Sequence, residues 1–320
     1  MLDYRVETFL TVCRDMNFTK AAKHLGITQP AVTQHIRFME DHYGVSLFSY
    51  QKKQLSLTRE GRILYERLTS LTNDEEKIQE ELASVTEDKE LVSVGVTMTI
   101  GEYAIVPAIS AYLARHPEVN LELHYGNTTQ LLEQLKNGNI SMALVEGYYP
   151  ADQYDHINFS HQEFIPVCAA GHGFACGTPE TLKDLVHERL LIREKGSGTR
   201  NILERSLALQ GMSVEDFHSY AQVENMHTII ELLQNDCGIS FLYKVAALEE
   251  LKNGALQEIS LADFQMSHEF DFIWDKNSLY AESIKGLAEE LQPESPTFPA
   301  EPLPEQAPLK SPLHLDSKGI

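Results

Sequence analysis

The stretch FTKAAKHLGITQPAVTQHIRFM, residues 18–39, constrains this chain more than any other. Phe18, Ala21, Ala22 and Leu25 fall at i, i+3, i+4 and i+7, so a short helix carries one apolar stripe, with Thr19 suited to cap its start. Gly26 ends that helix. Thr28 can cap a second helix through its hydroxyl, and Pro30 falls in the first turn, where a missing N–H costs little. Val32, Ile36 and Met39 then face inward. Gln29, Thr33 and Arg37 recur every four residues on the opposite face with Gln34 beside them, and these side chains can pair with base edges in a major groove. Upstream, Val6, Phe9, Leu10 and Cys13 give a further helix of the same spacing. After the three helices, LFSYQKKQLSLTREG reads as two short strands around Gln51, Lys52 and Lys53, which completes a winged helix-turn-helix. The expected DNA contacts are Thr28, Gln29, Pro30, Thr33, Gln34 and Arg37 on the reading helix and Lys52 and Lys53 on the wing.

FL near the N-terminus, FTKAA, QPAVTQHI, LF and LTREG stand in the order and spacing of the LysR-type transcriptional regulators, which the chain resembles over residues 1 to about 290. The resemblance implies an N-terminal winged helix-turn-helix, mostly α, and an α/β effector domain of two lobes similar to periplasmic binding proteins. Two positions depart from the family pattern. Tyr50 stands where an Arg usually follows LF, and Ser141 replaces a frequent Asp before a lobe strand.

The net charge of −21 is unusual for a DNA binder until it is divided. Residues 1–66 hold nine Lys and Arg against seven Asp and Glu, a net of +2, so the rest of the chain carries −23. Only the head can approach phosphates; an acidic body is repelled by the duplex, and binding should be salt-sensitive.

From residue 58 to about 86 the chain is polar, with Leu64, Leu68, Leu71, Ile78, Leu82 and Val85 at alternating four and three spacing and Glu75 interrupting the seam. A helix of about 29 residues spans roughly 43 Å. The stripe suits either a coiled coil or an amphipathic helix packed on its own domain; the resemblance implies the former, a linker through which two subunits dimerise. Strand-like and helix-like segments then alternate: LVSVGV, a helix over 100–115, LELHY, TTQLLEQLKNG, SMALV, and later FIPVCA, a helix in TPETLKDLVHERL, LLIRE, GTRNILERSLALQG, SYAQVE, MHTIIELLQND, GISFLY, VAALEELKNG, LQEIS, EFDFIWD and a helix over 278–291. This alternation argues for parallel sheets covered by helices. The expected organisation is a DNA-binding domain over 1–57, a linker helix over 58–89 and an effector domain over 90–291, with lobe one formed by 91–161 and 268–291 and lobe two by 162–267. The Pro-rich residues 292–320 should be a disordered tail outside the resemblance.

REKGSGTRN, residues 193–201, follows a strand and opens a helix, so Gly196, Ser197, Gly198 and Thr199 offer backbone N–H groups, hydroxyls and a helix N-terminus to an anion, with Arg193, Lys195 and Arg200 close in sequence. It is not a Walker loop, because no GK[ST] follows. Thr97, Met98 and Thr99 after the first lobe strand, and Asn127, Thr128 and Thr129 after the next, sit at strand C-terminal ends, where ligands of open α/β sheets bind. In the family these positions line the cleft between lobes with the stretch after the third strand, here Glu146 and Gly147. The expected ligand is a small anionic metabolite held between Thr99, Thr128, Ser197 and Thr199. The REKGSGTR form is also similar to family members governing carbon and sulfur assimilation.

Cys13, Cys168, Cys176 and Cys237 form no CxxC and no metal spacing, so reduced thiols and no metal or cofactor are expected. An alternative reading follows from family members that sense peroxide through a cysteine pair: a redox-responsive regulator using Cys168 and Cys176, although these precede the GSGT turn rather than surrounding it. A metal sensor built on His161, Cys168, His172 and Cys176 would place half its ligands in strand interiors. GxSxG and HExxH are absent, so no catalytic residue is expected. No apolar run reaches membrane length and no signal pattern opens the chain, which points to a cytoplasmic protein without membrane contact. Partners implied by the resemblance are double-stranded promoter DNA, a small-molecule effector and further copies of the chain, as a dimer and a tetramer formed from two dimers. Activation is the commoner outcome in the family.

Overall fold

The computed structural model describes residues 2–51, 54–84 and 91–293. Lys52, Lys53, Val85 and the Pro-rich segment from 294 onward therefore lie outside the described residues.

Helices α1 (Tyr4–Asp15), α2 (Phe18–His24) and α3 (Gln29–Tyr43) close around Phe9, Val12, Ala21, Val32, Ile36 and Met39, the residues that the spacing turns inward. Each large member of that cluster contributes about 1.5–3 kcal/mol by leaving water. The cap of α2 is Asn17 rather than Thr19: the Asn17 side chain accepts from the Thr19 and Lys20 amides at 2.9 Å. An amide side chain one position before the apolar stripe reaches both orphan donors, which a threonine inside the helix cannot do. Strands β1 (Phe48–Gln51) and β2 (Gln54–Leu57) pair antiparallel as the wing.

Helix α4 (Arg59–Ser84) follows. Its first turns belong to the head, where Leu68 is buried and Leu64 and Tyr65 pack against the same cluster. Farther on, Leu71, Ile78 and Leu82 stand exposed on one side. The neighbouring, polar side docks on the effector domain. Ser70 donates to Asp275, Arg67 to Asn277, and Asn73 to the Lys136 carbonyl. Asp74, only 4% exposed, accepts from the Ser278 hydroxyl at 2.7 Å and the Leu279 amide at 2.9 Å. Lys77 reaches the Ser141 hydroxyl at 3.3 Å and the Tyr280 ring.

In the effector domain, β3 (Leu91–Thr97), β4 (Asn120–Gly126) and β5 (Met142–Glu146) form a parallel set in lobe one, and β7 (Arg189–Ile192), β8 (Ser219–Gln222) and β9 (Ile239–Tyr243) a second parallel set in lobe two. Two long antiparallel strands, β6 (Tyr154–Ala169) and β11 (Met266–Asp275), run through both lobes, and the hydrogen-bonded order is β4-β3-β5-β11-β6-β9-β7-β8, with β10 (Leu256–Glu258) on β6. The boundaries expected at 161/162 and 267/268 thus fall inside strands. A bulge between Phe270 and Asp271 marks the crossing, where Asp271 accepts from Tyr149 and Asn158.

Helices α5 (Met98–Tyr103), α6 (Val106–Arg115), α7 (Thr128–Lys136), α8 (Gly198–Leu209), α9 (Met226–Gln234), α10 (Leu248–Asn253) and α11 (Ala281–Glu290) cover the sheet. Two expected helices differ. The helix over 100–115 is two, broken at Ala104 and Ile105, because Pro107 lacks the N–H an uninterrupted helix would need and instead opens α6. TPETLKDLVHERL holds only a 3-10 turn over Leu182–His187, started by a Thr181–Asp184 capping box and ended at Glu188 by its return to extended backbone.

Candidate functional site

The polar face of Gln29, Thr33, Gln34 and Arg37 forms on α3 opposite the buried Val32, Ile36 and Met39, as the spacing predicts. Thr28 caps the helix by accepting from the Ala31 amide at 3.3 Å, and Pro30 occupies its first turn. Gln29, Gln34 and Arg37 are exposed and Thr33 half-buried. Gln29 donates to the Thr33 hydroxyl at 2.9 Å while Thr33 donates to the Gln29 carbonyl, so the pair is ordered before any base is met. Tyr50 is 70% exposed on β1.

The cleft residues come together at the facing strand ends of the two lobes. Thr97, Thr99, Thr128, Ser197 and Thr199 are all buried, Met98 and Gly196 are half-buried, and the centre of the group is Glu146, 1% exposed. Thr97 donates to one oxygen of its carboxylate, Thr199 to the other at 3.2 Å, and Thr128 to its backbone carbonyl at 2.9 Å. Thr199 belongs to lobe two and the rest to lobe one, so Glu146 clasps the lobes. Burial pushes the Glu146 carboxyl above its ordinary value of 4.5, against the pull of Thr97, Arg193 and Thr199.

The backbones are equally close. A Cβ on Gly198 would stand 2.2 Å from the Glu146 carbonyl oxygen, and Gly147, at φ +93°, lies against the Gly198 Cα. Thr129 donates its amide and its hydroxyl to the Gly196 carbonyl at 3.3 and 3.4 Å. On the rim, Arg205 of α8 stacks at 3.5 Å on Tyr148, whose ring meets His268 edge-on. The cleft is closed.

Two buried hydroxyls in this region have no partner among the described residues. Ser197 opens α8 yet makes no capping bond, so its Oγ is left free at the helix N-terminus. Tyr243 ends β9 fully buried, and its hydroxyl is also unpaired. Arg193 is 3% exposed; it donates to Glu194 and reaches Thr99 at 3.5 Å. Arg200 does not join the site, because its guanidinium is engaged by Glu204, Gln222 and the Arg193 carbonyl within lobe two. Lys195 is exposed.

Comparison with known proteins matches both parts of this chain. The family described as "LysR substrate binding domain" matches residues 86–295, and "Bacterial regulatory helix-turn-helix protein, lysR family" matches residues 4–62. The chain belongs to the LysR family. It is 27% identical over 269 residues to the HTH-type transcriptional regulator CysL of Bacillus subtilis, covering 84% of this chain and 89% of CysL. Full-length LysG from Corynebacterium glutamicum with bound effector Arg superposes with a TM-score of 0.60 at 14% identity, covering 92% of this chain and 100% of LysG. The regulatory domain of CcmR from Synechocystis, in complex with 2-PG, gives 0.56 at 16% identity over 65% of this chain and 100% of that domain. This protein is thus a LysR-type transcriptional regulator with an N-terminal helix-turn-helix and an effector-binding domain.

Sequence reasoning on this LysR-type regulator missed Tyr243, although its place at the C-terminal end of a strand in GISFLY is the signal that selected Thr97 and Glu146. Cys168 lies wholly inside the core with its thiol pushed up by burial, whereas Cys176 is exposed. Among the described residues no cluster of His, Cys, Asp or Glu could hold a metal ion, and no helix is long and apolar enough to cross a membrane.

Proposed function

We propose that this regulator binds a small anionic metabolite in the cleft between its lobes, and that the ligand changes how paired heads grip promoter DNA. The observation that carries the reading is the Ser197 hydroxyl: buried, unpartnered and seated at the N-terminus of α8, where free N–H groups and the helix dipole favour negative charge. Thr99, Thr128, Thr199 and the buried Arg193 surround the same space, and the unpaired Tyr243 hydroxyl offers a second donor. LysG with bound effector Arg and the CcmR regulatory domain in complex with 2-PG are precedents for a small molecule held by this fold.

At the head, Thr28, Gln29, Pro30, Thr33, Gln34 and Arg37 meet the major groove and Lys52 and Lys53 the phosphates. The exposed side of α4 bearing Leu71, Ile78 and Leu82 supports pairing with a second copy, and two dimers build the tetramer. The protein works in the cytoplasm as an activator. The redox alternative loses support at Cys168, because a buried thiol with a raised pKa is a poor nucleophile.

Calorimetry of the full-length protein across small organic acids and oxyanions tests the cleft. Heat that disappears in Ser197→Ala supports the reading, and silence across the series refutes it.

A further inference from the structure

The charge inside the closed cleft does not suit an incoming anion as it stands. Arg193 is the buried cation, and Glu194 already accepts from its Nε at 2.9 Å. Glu146 then sets a second carboxylate among the same hydroxyls that would receive the ligand. Ionised, it repels any anion placed at the α8 N-terminus, and it cannot move aside. It ends a fully buried strand, its carbonyl is held by Thr128, and both carboxylate oxygens are held by threonines from opposite lobes. A buried carboxylate that can neither leave nor be paired is relieved in one way, by taking a proton.

Resting on the anion reading above, we infer that the effector enters together with a proton: Glu146 becomes a neutral carboxylic acid as the anion binds, so the closed cleft takes up one H⁺ from solvent per anion. The protonated group turns from acceptor to donor. Its O–H can then donate to the anion or to a threonine oxygen, while the hydroxyls of Thr97 and Thr199, released from a carboxylate, can turn toward the ligand with those of Ser197 and Tyr243. Affinity for anions of constant charge therefore rises as pH falls.

Other charged and titratable groups lie around Glu146, and among them the Arg193 guanidinium favours its ionised form while burial favours the neutral one. Tyr243 on β9 is neutral, its hydroxyl pushed well above its ordinary range by burial and by Glu146. Asp271 on β11 accepts hydrogen bonds from Tyr149 and Asn158. Tyr148 after β5 carries Arg205 of α8 on its outer face, and Glu102 on α5 accepts from Asn225. Arg193 is the buried positive group among them. His268, whose ring meets Tyr148 edge-on, is the histidine beside this group and is separated from Glu146 by mutation.

The test uses full-length protein and inorganic sulfate, a dianion throughout the range from about pH 8 to about pH 6, so any pH dependence belongs to the protein. Calorimetry in two buffers of different protonation enthalpy counts the protons. The wild type should bind sulfate up to about tenfold more tightly per pH unit lowered, with close to one proton taken up. Glu146→Gln should bind with an affinity that no longer depends on pH and takes up no proton. Sulfate binding by the wild type that is independent of pH and takes up no proton overturns the coupling and leaves the anion reading standing, as does a Glu146→Gln variant that keeps the wild-type profile, which places the proton on another group. Absence of binding by either protein at every pH overturns both. If Glu146→Gln does not fold, His268→Gln takes its place: proton uptake that persists in it keeps the assignment to Glu146, and uptake lost in it overturns the assignment.

Discussion

Gly198→Ala is the sharpest probe of the closed cleft. The added Cβ would lie 2.2 Å from the Glu146 carbonyl oxygen, whereas an unstrained C···O contact needs about 3.3 Å, so the lobes must part by about 1.1 Å at that point. The obstacle is backbone at the end of a buried strand and cannot rotate away. The bonds from Thr199 to Glu146 and from Thr129 to Gly196 begin at 3.2–3.4 Å and do not survive such a displacement. At about 1 kcal/mol net for each of these three, closure weakens by about 2–3 kcal/mol, a shift of about 30- to 150-fold toward the open form. Hydrogen exchange of the full-length protein reads this directly, because the Thr129 amide has the Gly196 carbonyl as its cross-lobe acceptor. Its exchange should speed up by a comparable factor while α1, α2 and α3 exchange as before. Gly286→Ala, on α11 with nothing within 4 Å, serves as the silent control. Thr129 protection in the variant within about threefold of wild type would refute the argument.

Burial raises the Glu146 pKa, so its contribution to stability is fully present below 4.5 and is lost as pH rises through the folded value. Glu146→Gln should accordingly melt above wild type at neutral pH, with an advantage that shrinks on acidification; a constant difference in Tm across that range would contradict this. Gln29→Ala and Thr33→Ala should each cost about 1–3 kcal/mol on the specific upstream duplex and little on random DNA, while Lys52→Ala weakens both alike, as read by titration at two salt concentrations. Equal losses on both duplexes for every variant would count against α3 as the reader. Ile78→Asp, at a position 41% exposed in the single chain, should dissociate the dimer in sedimentation without loss of helix, by about 1.5–3 kcal/mol from each subunit; unchanged mass would place the dimer contact elsewhere.

Much of this architecture is legible from periodicity, because apolar spacing reports directly which face is covered. It locates α1 to α3 and their inward residues, and most lobe strands. Hydroxyls at strand ends locate Thr97, Thr99, Thr128, Ser197 and Thr199, which the fold does gather. The failures share a cause: local pattern carries no record of polar contacts distant in sequence. Nothing near Asp74 signals that Ser278 and Leu279 will meet it, and nothing near Arg200 signals that Gln222 will draw it out of the site. The role of Glu146 as a clasp also depends on Thr199, 53 positions away. Helix boundaries failed where a single proline or a capping box outweighed the stripe, at Pro107 and at Thr181.

The polar seat of α4 on lobe one means that an excised effector domain is a different ligand-binding body from the one inside the intact chain. Cutting ahead of β3 strips Asp74 from the turn at Ser278 and Leu279, Ser70 from Asp275 and Lys77 from Ser141, all at the end of the crossing strand β11 or beside β5. Those anchors tie the strand that passes between the lobes to the helix that carries the head. Linkage is reciprocal, so whatever factor the effector imposes on DNA affinity through that seat, DNA imposes on effector affinity in return. Dissociation constants from the isolated domain and from the intact chain are expected to differ, and the regulatory factor is the ratio between the DNA-free and the DNA-bound full-length regulator.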